Sequence, residues 1–459
     1  MQKDRYVLHQ ITPRDHQPRR NIAVVGSGIA GLSAAWLLSS RHDVTLYEAD
    51  DRPGGHANTV LAPTGAGQTA VDTGFIVYNE RNYPNLVAMF AHLGVATEVS
   101  EMSFAASLDD GALEYSSNGL NGLVGQRGNL TRGRFWLMLR DIVRFYREAP
   151  GLLHLSELDA VCLGDYLEAN NYAKAFVEDH LLPMGAAIWS TTAREMRRYP
   201  LKAFIRFFAS HSLLNLVNRP KWRTVSGGSR EYVQQLVAGF RGELRLGCPV
   251  AQITRANGGV VVTDAHGQTA HFDDIVIAGH ADQALKLLAD ADGQERALLG
   301  AVQYTDNVAV LHSDPALMPK RRRVWASWNY IGESRDTGDR PLCVTYWMNR
   351  LQNLDPAHHL FVTLNPTREI APEKVIQSFA YTHPLFDTAA LTAQRQLWQL
   401  QGRRNTWFCG SYFGHGFHED ALQAGLSVAE QLGGVRRPWT VAGESDRITL
   451  SPPILEAAE

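Results

Sequence analysis

The feature that most limits what this chain can fold into is a glycine turn set between a strand and a helix. Asn21-Ile-Ala-Val-Val25 reads as a short buried strand, and Leu32 to Ser40 reads as an alanine-rich helix. Between them stands Gly26-Ser-Gly28-Ile-Ala-Gly31. Gly26 permits a tight turn, Gly28 lets backbone approach a pyrophosphate, and Gly31 lets helix and strand pack closely. The N-terminus of the helix offers free N–H groups and positive dipole to the phosphates. A second strand, Asp43-Val-Thr-Leu-Tyr47, ends at Glu48, 22 residues after Gly26. An acidic side chain there accepts both ribose hydroxyls of an adenosine and repels a 2′-phosphate. Strand, turn, helix, strand and acid together predict a Rossmann-type dinucleotide site.

At 459 residues the chain has room for two or three domains. Lys and Arg number 44 against 47 Asp and Glu, a net charge of −3, which argues against a nucleic-acid binder. Cys162, Cys248, Cys343 and Cys409 form no C-x-x-C pair, so zinc ribbons and thioredoxin-type redox chemistry are not expected. No His, Cys or carboxylate set has metal-ligand spacing, and no nucleophile elbow occurs. The first 20 residues lack a signal-peptide apolar core. The longest apolar run, Ile22 to Leu38, belongs to the glycine turn. A cytoplasmic protein is expected, with a polar arm over 1–18. There is no second G-x-G-x-x-G, so an NAD(P)H site is not supported.

Arg52-Pro-Gly-Gly55 extends the pattern to Glu48-x-x-x-Arg52-x-Gly54-Gly55. This resembles the FAD fingerprint of the flavin-containing amine oxidase and phytoene desaturase superfamily. The resemblance implies that Arg52, Gly54 and Gly55 run along the pyrophosphate and the flavin-side ribityl of a non-covalently bound FAD. Trp407-Phe-Cys-Gly410 reads as a buried strand, and Phe417-His-Glu-Asp420 precedes a helix from Ala421 to Leu432. Asp420 sits where an N-cap is expected. The superfamily has a matching C-terminal motif, in which a glycine, here Gly410, ends the strand. An acid, here Asp420, touches ribityl or phosphate, and the helix N-terminus at Ala421 aims at the flavin. Its dipole would favour an anionic reduced flavin. Strands at 260–263 and 275–279 would return to the FAD domain, meeting the adenine edge near Val250. The implied fold is α/β: a discontinuous Rossmann-type FAD-binding domain over 19–100, 223–285 and 404–437. An α+β, amine oxidase-like substrate domain takes 101–222, mostly helical by pattern, and 286–403, with strands at 342–347 and 359–364 and a helix from Pro372 to Phe379. Residues 438–459 are left as a tail.

Further segments narrow the resemblance. These are Val71-Asp-Thr-Gly-Phe-Ile-Val-Tyr-Asn79, Pro183 to Ser190, Trp222 to Val233, Tyr346-Trp-Met-Asn349 and Cys409 to Ala421. They look like a bacterial group of FAD proteins related to the flavin domain of plant cyclopropane fatty acid synthases. The group is similar to the methylated-fatty-acid desaturase of furan fatty acid synthesis and, more distantly, to flavin-dependent fatty acid isomerases. The likeness adds Asp72 and Gly74 to the cofactor contacts. Tyr412 stands where family members often carry Trp.

Flavin N5 accepts a hydride without a protein nucleophile, so the protein must orient a C–H bond, exclude water and move one proton. Tyr346, His415 and His418 are the catalytic candidates, and Tyr78, Trp189 and Tyr412 the candidate pocket walls. The expected activity is hydride transfer from an unsaturated or methyl-branched fatty acyl chain, free or in phospholipid, by a desaturase or a double-bond isomerase. An amine oxidase is one alternative. A flavin-bearing accessory subunit of a lipid methyltransferase or cyclopropane synthase is another. Basic amphipathic stretches at Thr131 to Arg147 and Leu201 to Trp222 suggest peripheral contact with an anionic inner-membrane surface.

Overall fold

Five short strands rich in valine, isoleucine and leucine lie parallel. Their order is Glu243–Arg245, Asp43–Tyr47, Asn21–Val25, Asp274–Ile277 and Thr406–Phe408. Ile22, Val24, Leu46, Ile275 and Ile277 are fully buried, as a parallel sheet covered on both faces requires. The structure, a computed structural model, describes residues 18–450 except 66, 159, 216–219, 257 and 333–340. Most of the expected N-terminal arm, residues 451–459, and Leu216 and Arg219 therefore lie outside the described residues. Helices Ile29–Leu38 and His418–Gly433 pack on each other against this sheet. A Cβ on Gly425 would lie 2.2 Å from the carbonyl oxygen of Ala30, so only glycine lets the two helices come this close.

A second sheet has seven strands, in the order Val375–Leu385, Gln303–His312, Phe361–Leu364, Val344–Trp347, Trp328–Gly332, Phe104–Leu108 and Leu113–Ser116. All neighbours run antiparallel except Trp328–Gly332 with Phe104–Leu108. Within 101–222, expected to be mostly helical, the first two segments are strands on the edge of this sheet. One expectation is corrected here. Pro372 to Phe379 is not a helix: a single 3₁₀ turn, Pro372–Lys374, leads straight into the strand Val375–Leu385. Val375, Ile376, Phe379, Tyr381 and Thr382 are β-branched or aromatic, and a long register with Gln303–His312 outweighs local helical preference.

Helices Gly133–Leu152, Leu163–Ala169, Leu182–Trp189 and Leu201–Ser210 form a cap beside the seven-stranded sheet. Phe135, Phe145, Phe176, Phe204 and Phe208 fill its interior. The apolar side of Leu201–Ser210 faces the cap, where the helix contacts Gly133–Leu152 and Leu163–Ala169, and Lys202 is buried with it. Among the described residues no helix is long and apolar enough to cross a membrane.

Candidate flavin site

The glycine turn closes at the carboxyl ends of the parallel strands, where doubly wound sheets bind ligands. Gly26 has φ +99°, and its N–H donates to the Tyr47 carbonyl at 2.8 Å. A Cβ on Gly31 would fall 1.9 Å from the Gly26 carbonyl oxygen. Gly28 caps the helix with ordinary φ/ψ, and a Cβ there meets no atom within 4 Å, so this glycine borders open space. Gly55 faces it, with a Cβ position 3.1 Å from the Gly28 Cα. Glu48 accepts the Ser27 N–H at 2.8 Å and the Asp50 N–H at 3.0 Å, holding turn and strand end together.

Arg52 gives one nitrogen to the Gly55 carbonyl at 3.0 Å, while its Nη1 is buried without a partner. An unsatisfied buried guanidinium nitrogen beside an open glycine cleft matches what a pyrophosphate needs. The backbones of Gly247 and Cys248 donate to the carbonyls of Asp50 and Glu48, which brings the strand starting at Val250 to the ribose end. Gly74 packs with its Cα against the His56 carbonyl, where a Cβ would come within 2.2 Å. The cradle thus fits an adenine dinucleotide, and Glu48→Ala should weaken FAD binding by about 1–3 kcal/mol, as read by titration of apoprotein with FAD.

Asp72 does something else. Its carboxylate accepts the Ser229 N–H and hydroxyl, the Thr59 hydroxyl and the Gln352 amide. With every oxygen engaged by protein donors, it joins Ser229, at the start of helix Arg230–Gly239, to the seven-stranded side. Burial pushes its carboxyl up to about 6. The helix N-terminus after Ser226-Gly-Gly-Ser229 is therefore filled by the chain's own carboxylate, which accounts for the absence of a second phosphate loop there.

The C-terminal motif returns to the cleft. Gly410 sits against Gly279 and the Tyr412 ring, and Tyr412 is buried with its hydroxyl unpartnered. Asp420 is not the N-cap. The helix begins at His418 after Phe417, and Asp420, its third residue, reaches back to the Phe417 N–H at 2.8 Å. Its other oxygen meets Arg447 at 3.2 Å. Ala421 donates its N–H to the Phe417 carbonyl, inside the first turn.

The three catalytic candidates do not form one cluster. His418 stacks on Phe75 at 3.8 Å and meets the Tyr232 hydroxyl at 3.0 Å. Burial drives its pKa down to about 3, which keeps this imidazole neutral near pH 7. His415 faces the cap instead, edge-on to Phe207 at 6.2 Å, and burial lowers its pKa too. Tyr346 meets Trp328 edge-on at 5.0 Å, and burial raises its phenol pKa. Tyr78 is in the core with Tyr83 and Phe90, not in a pocket wall. Trp189 is enclosed by Tyr199, Phe204, Phe207 and Phe208.

Sequence reasoning missed a group of imidazoles at the cleft. His56 stacks on Tyr381 at 5.0 Å and stands 5.6 Å from His383 and 6.2 Å from His280. Burial lowers all three pKa values, that of His383 to about 4. His56 directly follows Gly55, and His280 follows the strand-end Gly279, which was the available signal. His383 comes from the other sheet and carried none. Among the described residues, no set of His, Cys, Asp and Glu is arranged to hold a metal.

A doubly wound sheet, an open diglycine cleft, an unsatisfied arginine and a second sheet over the strand ends define a dinucleotide-binding flavoprotein oxidoreductase fold. Residues 29–433 match the flavin containing amine oxidoreductases, and the chain belongs to that family. As a member it is a flavin-containing oxidoreductase, and FAD is the cofactor that its cradle fits. Among solved structures, a CLA-producing fatty acid isomerase from P. acnes superposes with TM-score 0.60 at 17% identity, covering 90% of this chain and 97% of that one. Putrescine oxidase bound to putrescine gives TM-score 0.64 at 14% identity, covering 90% and 99%. An L-amino-acid oxidase of Bungarus fasciatus is 56% identical over 41 residues, 9% of this chain and 8% of that protein. The alignment with such curated relatives thus spans less than a tenth of their length.

Proposed function

We propose that the enzyme oxidises or isomerises an unsaturated or methyl-branched fatty acyl chain, with the seven-stranded sheet and helical cap as its substrate domain. One observation carries this reading. A continuous aromatic path runs from the cap to the cofactor loop: Phe204 on Phe208 at 4.1 Å, Trp189 against Phe207 at 4.6 Å, and Phe207 on Phe417 at 4.9 Å. Asp420, the carboxylate close by, is already paired with Arg447. Each CH₂ moved from water into such surroundings contributes about 0.8 kcal/mol, enough for an acyl chain to bind without polar anchors. The fold itself serves both substrate classes, since one solved relative acts on fatty acids and another binds putrescine.

Bound FAD supplies a two-electron acceptor. The apolar cap holds the acyl chain and excludes water. The neutral imidazole of His415, at the end of the aromatic path, takes the proton from the carbon next to the one that loses hydride. The C–H electron pair left behind closes the new double bond, which is desaturation. Were both ends of an allylic system held against that acceptor, the same apolar cap would support double-bond isomerisation instead. Tyr346 keeps its proton and lines the sheet side. In this reading a lipid methyltransferase or cyclopropane synthase acts upstream, supplying the branched chain.

The test is anaerobic incubation with plain and methyl-branched unsaturated phospholipids, following the flavin spectrum and the double-bond positions of the product by mass spectrometry. Bleaching of the oxidised flavin band, or a shifted double bond, is expected, with no bleaching by benzylamine. Fast reduction by an amine with the lipid unaltered would overturn the reading in favour of an amine oxidase. A flavin that neither class reduces, with the lipid unchanged, would leave an accessory subunit.

A further inference from the structure

The outer face of the cap carries a concentration of features that its fold does not use. Helix Gly133–Leu152 buries Phe135, Met138, Ile142, Phe145 and Tyr146 on its inner side. Its outer side leaves Trp136 53% exposed and Leu137 44% exposed, and the preceding loops add Leu130 at 44% and Leu120 at 79%. Trp136 donates its indole N–H to the Leu130 carbonyl at 2.9 Å, so the two apolar groups are held side by side.

The same segment is strongly basic. Residues 119–152 contain Arg127, Arg132, Arg134, Arg140, Arg144 and Arg147 against Asp141 and Glu148, which is 6 − 2 = +4 in a chain of net −3. Asp141 is buried, so its charge does not face solvent. Arg134 is partly spent on Asp179 and Arg144 on Glu148, whereas the Arg140 side chain remains 60% exposed beside Asp141. An open groove is lined by Trp136, Leu139 and Val143 with Arg140, Arg144 and Arg147, and by the single acid Glu148.

Exposed tryptophan and leucine among arginines suit one surface above others. Arginine pairs with phosphate while indole and leucine settle at the headgroup boundary. We propose that residues 119–152 dock the enzyme on an anionic lipid bilayer. The position favours delivery as well as docking. Helix Gly133–Leu152 contacts helix Leu201–Ser210, whose Phe207 stacks on Phe417 of the cofactor loop. Two helices thus separate the bilayer face from that loop. The purpose of the docking rests on the fatty acyl reading, but its test does not.

The experiment is co-sedimentation of the FAD-loaded protein with vesicles of phosphatidylcholine alone and of phosphatidylcholine mixed with phosphatidylglycerol. Binding to the anionic vesicles should exceed binding to the neutral ones by about tenfold or more, and should fall steeply with added salt. The double variant Arg140→Gln and Arg147→Glu should lose about tenfold or more in binding to anionic vesicles. It should keep its FAD content and melting temperature, since Gln can still bond to Asp141. Brominated lipid should quench the native protein more than Trp136→Phe. Equal binding to both vesicle types, no binding, or an unaffected double variant would overturn the proposal. So would a salt-stable dimer by sedimentation velocity that Trp136→Ser dissolves, which would make the face a contact between copies. An enzyme that binds vesicles yet alters no acyl chain keeps the docking face and loses the lipid-substrate reading.

Discussion

Gly28→Val is expected to fold normally and to come off the column without yellow colour. Backbone angles of φ −60° and ψ 172° suit any residue, and the Cβ position meets no atom within 4 Å, so the apoprotein accommodates the side chain. The same open space is where the fingerprint directs the pyrophosphate, opposite Gly55 and the unpartnered Arg52 Nη1. Forcing a branched side chain against a bound group typically costs about 1–3 kcal/mol or more, a weakening of roughly 5- to 150-fold or more. Gly31→Val is the contrasting case. Its Cβ would stand 1.9 Å from the Gly26 carbonyl and 2.8 Å from the Ala278 Cβ, so that protein should fail to fold at all. Circular dichroism separates the two, and flavin absorbance of the supernatant after denaturation measures the cofactor. A Gly28→Val protein that retains one FAD per chain would show that the cradle holds something other than the pyrophosphate.

Acid should destabilise the protein well above the range in which carboxylates titrate. His211 and His418 are driven down to about 3, His312 and His383 to about 4, and His56 well below the ordinary 6.5, in each case chiefly by burial. These groups are neutral when folded and take up protons near 6.5 when unfolded. Their contribution is present above about pH 6.5 and is lost as pH falls toward 4. Between pH 7 and 5.5 each costs about 1 kcal/mol, so five together remove roughly 5 kcal/mol from a total that is typically about 5–15 kcal/mol. Asp72, pushed up to about 6, works the other way, because its folded form binds a proton more readily than its unfolded form. It returns less than about 1 kcal/mol over that interval. The melting temperature of the FAD-loaded protein should therefore drop by roughly 5–10 °C from pH 7 to pH 5.5. A flat profile over that range would mean that the buried histidines are charged or solvated when folded.

How far the sequence speaks for itself is seen by comparing particular residues. Gly26, Gly28, Gly31 and Glu48 lie within one βαβ unit, where turn chemistry and strand and helix periodicity act over some thirty residues. Their arrangement follows from local rules, and so does the parallel sheet they imply. Arg52, Gly54 and Gly55 were legible through the resemblance to the superfamily's FAD fingerprint, not through local rules. His418 was not, because an exposed loop histidine and one stacked on Phe75 beside the Tyr232 hydroxyl look alike until distant segments are packed. Nor was the strand Val375–Leu385, whose pairing with Gln303–His312 replaces local preference with a long-range register. Asp72 reads as a family motif residue, yet Ser229 and Gln352, 157 and 280 positions away, decide that it joins two layers. His56, His280 and His383 become neighbours only when the two sheets close over the cleft. The chain alone determined its nucleotide cradle, because a backbone turn is a short-range object. The tertiary structure decided which histidines are buried and which aromatics face the cofactor loop, because burial and contact are set by residues far away in sequence.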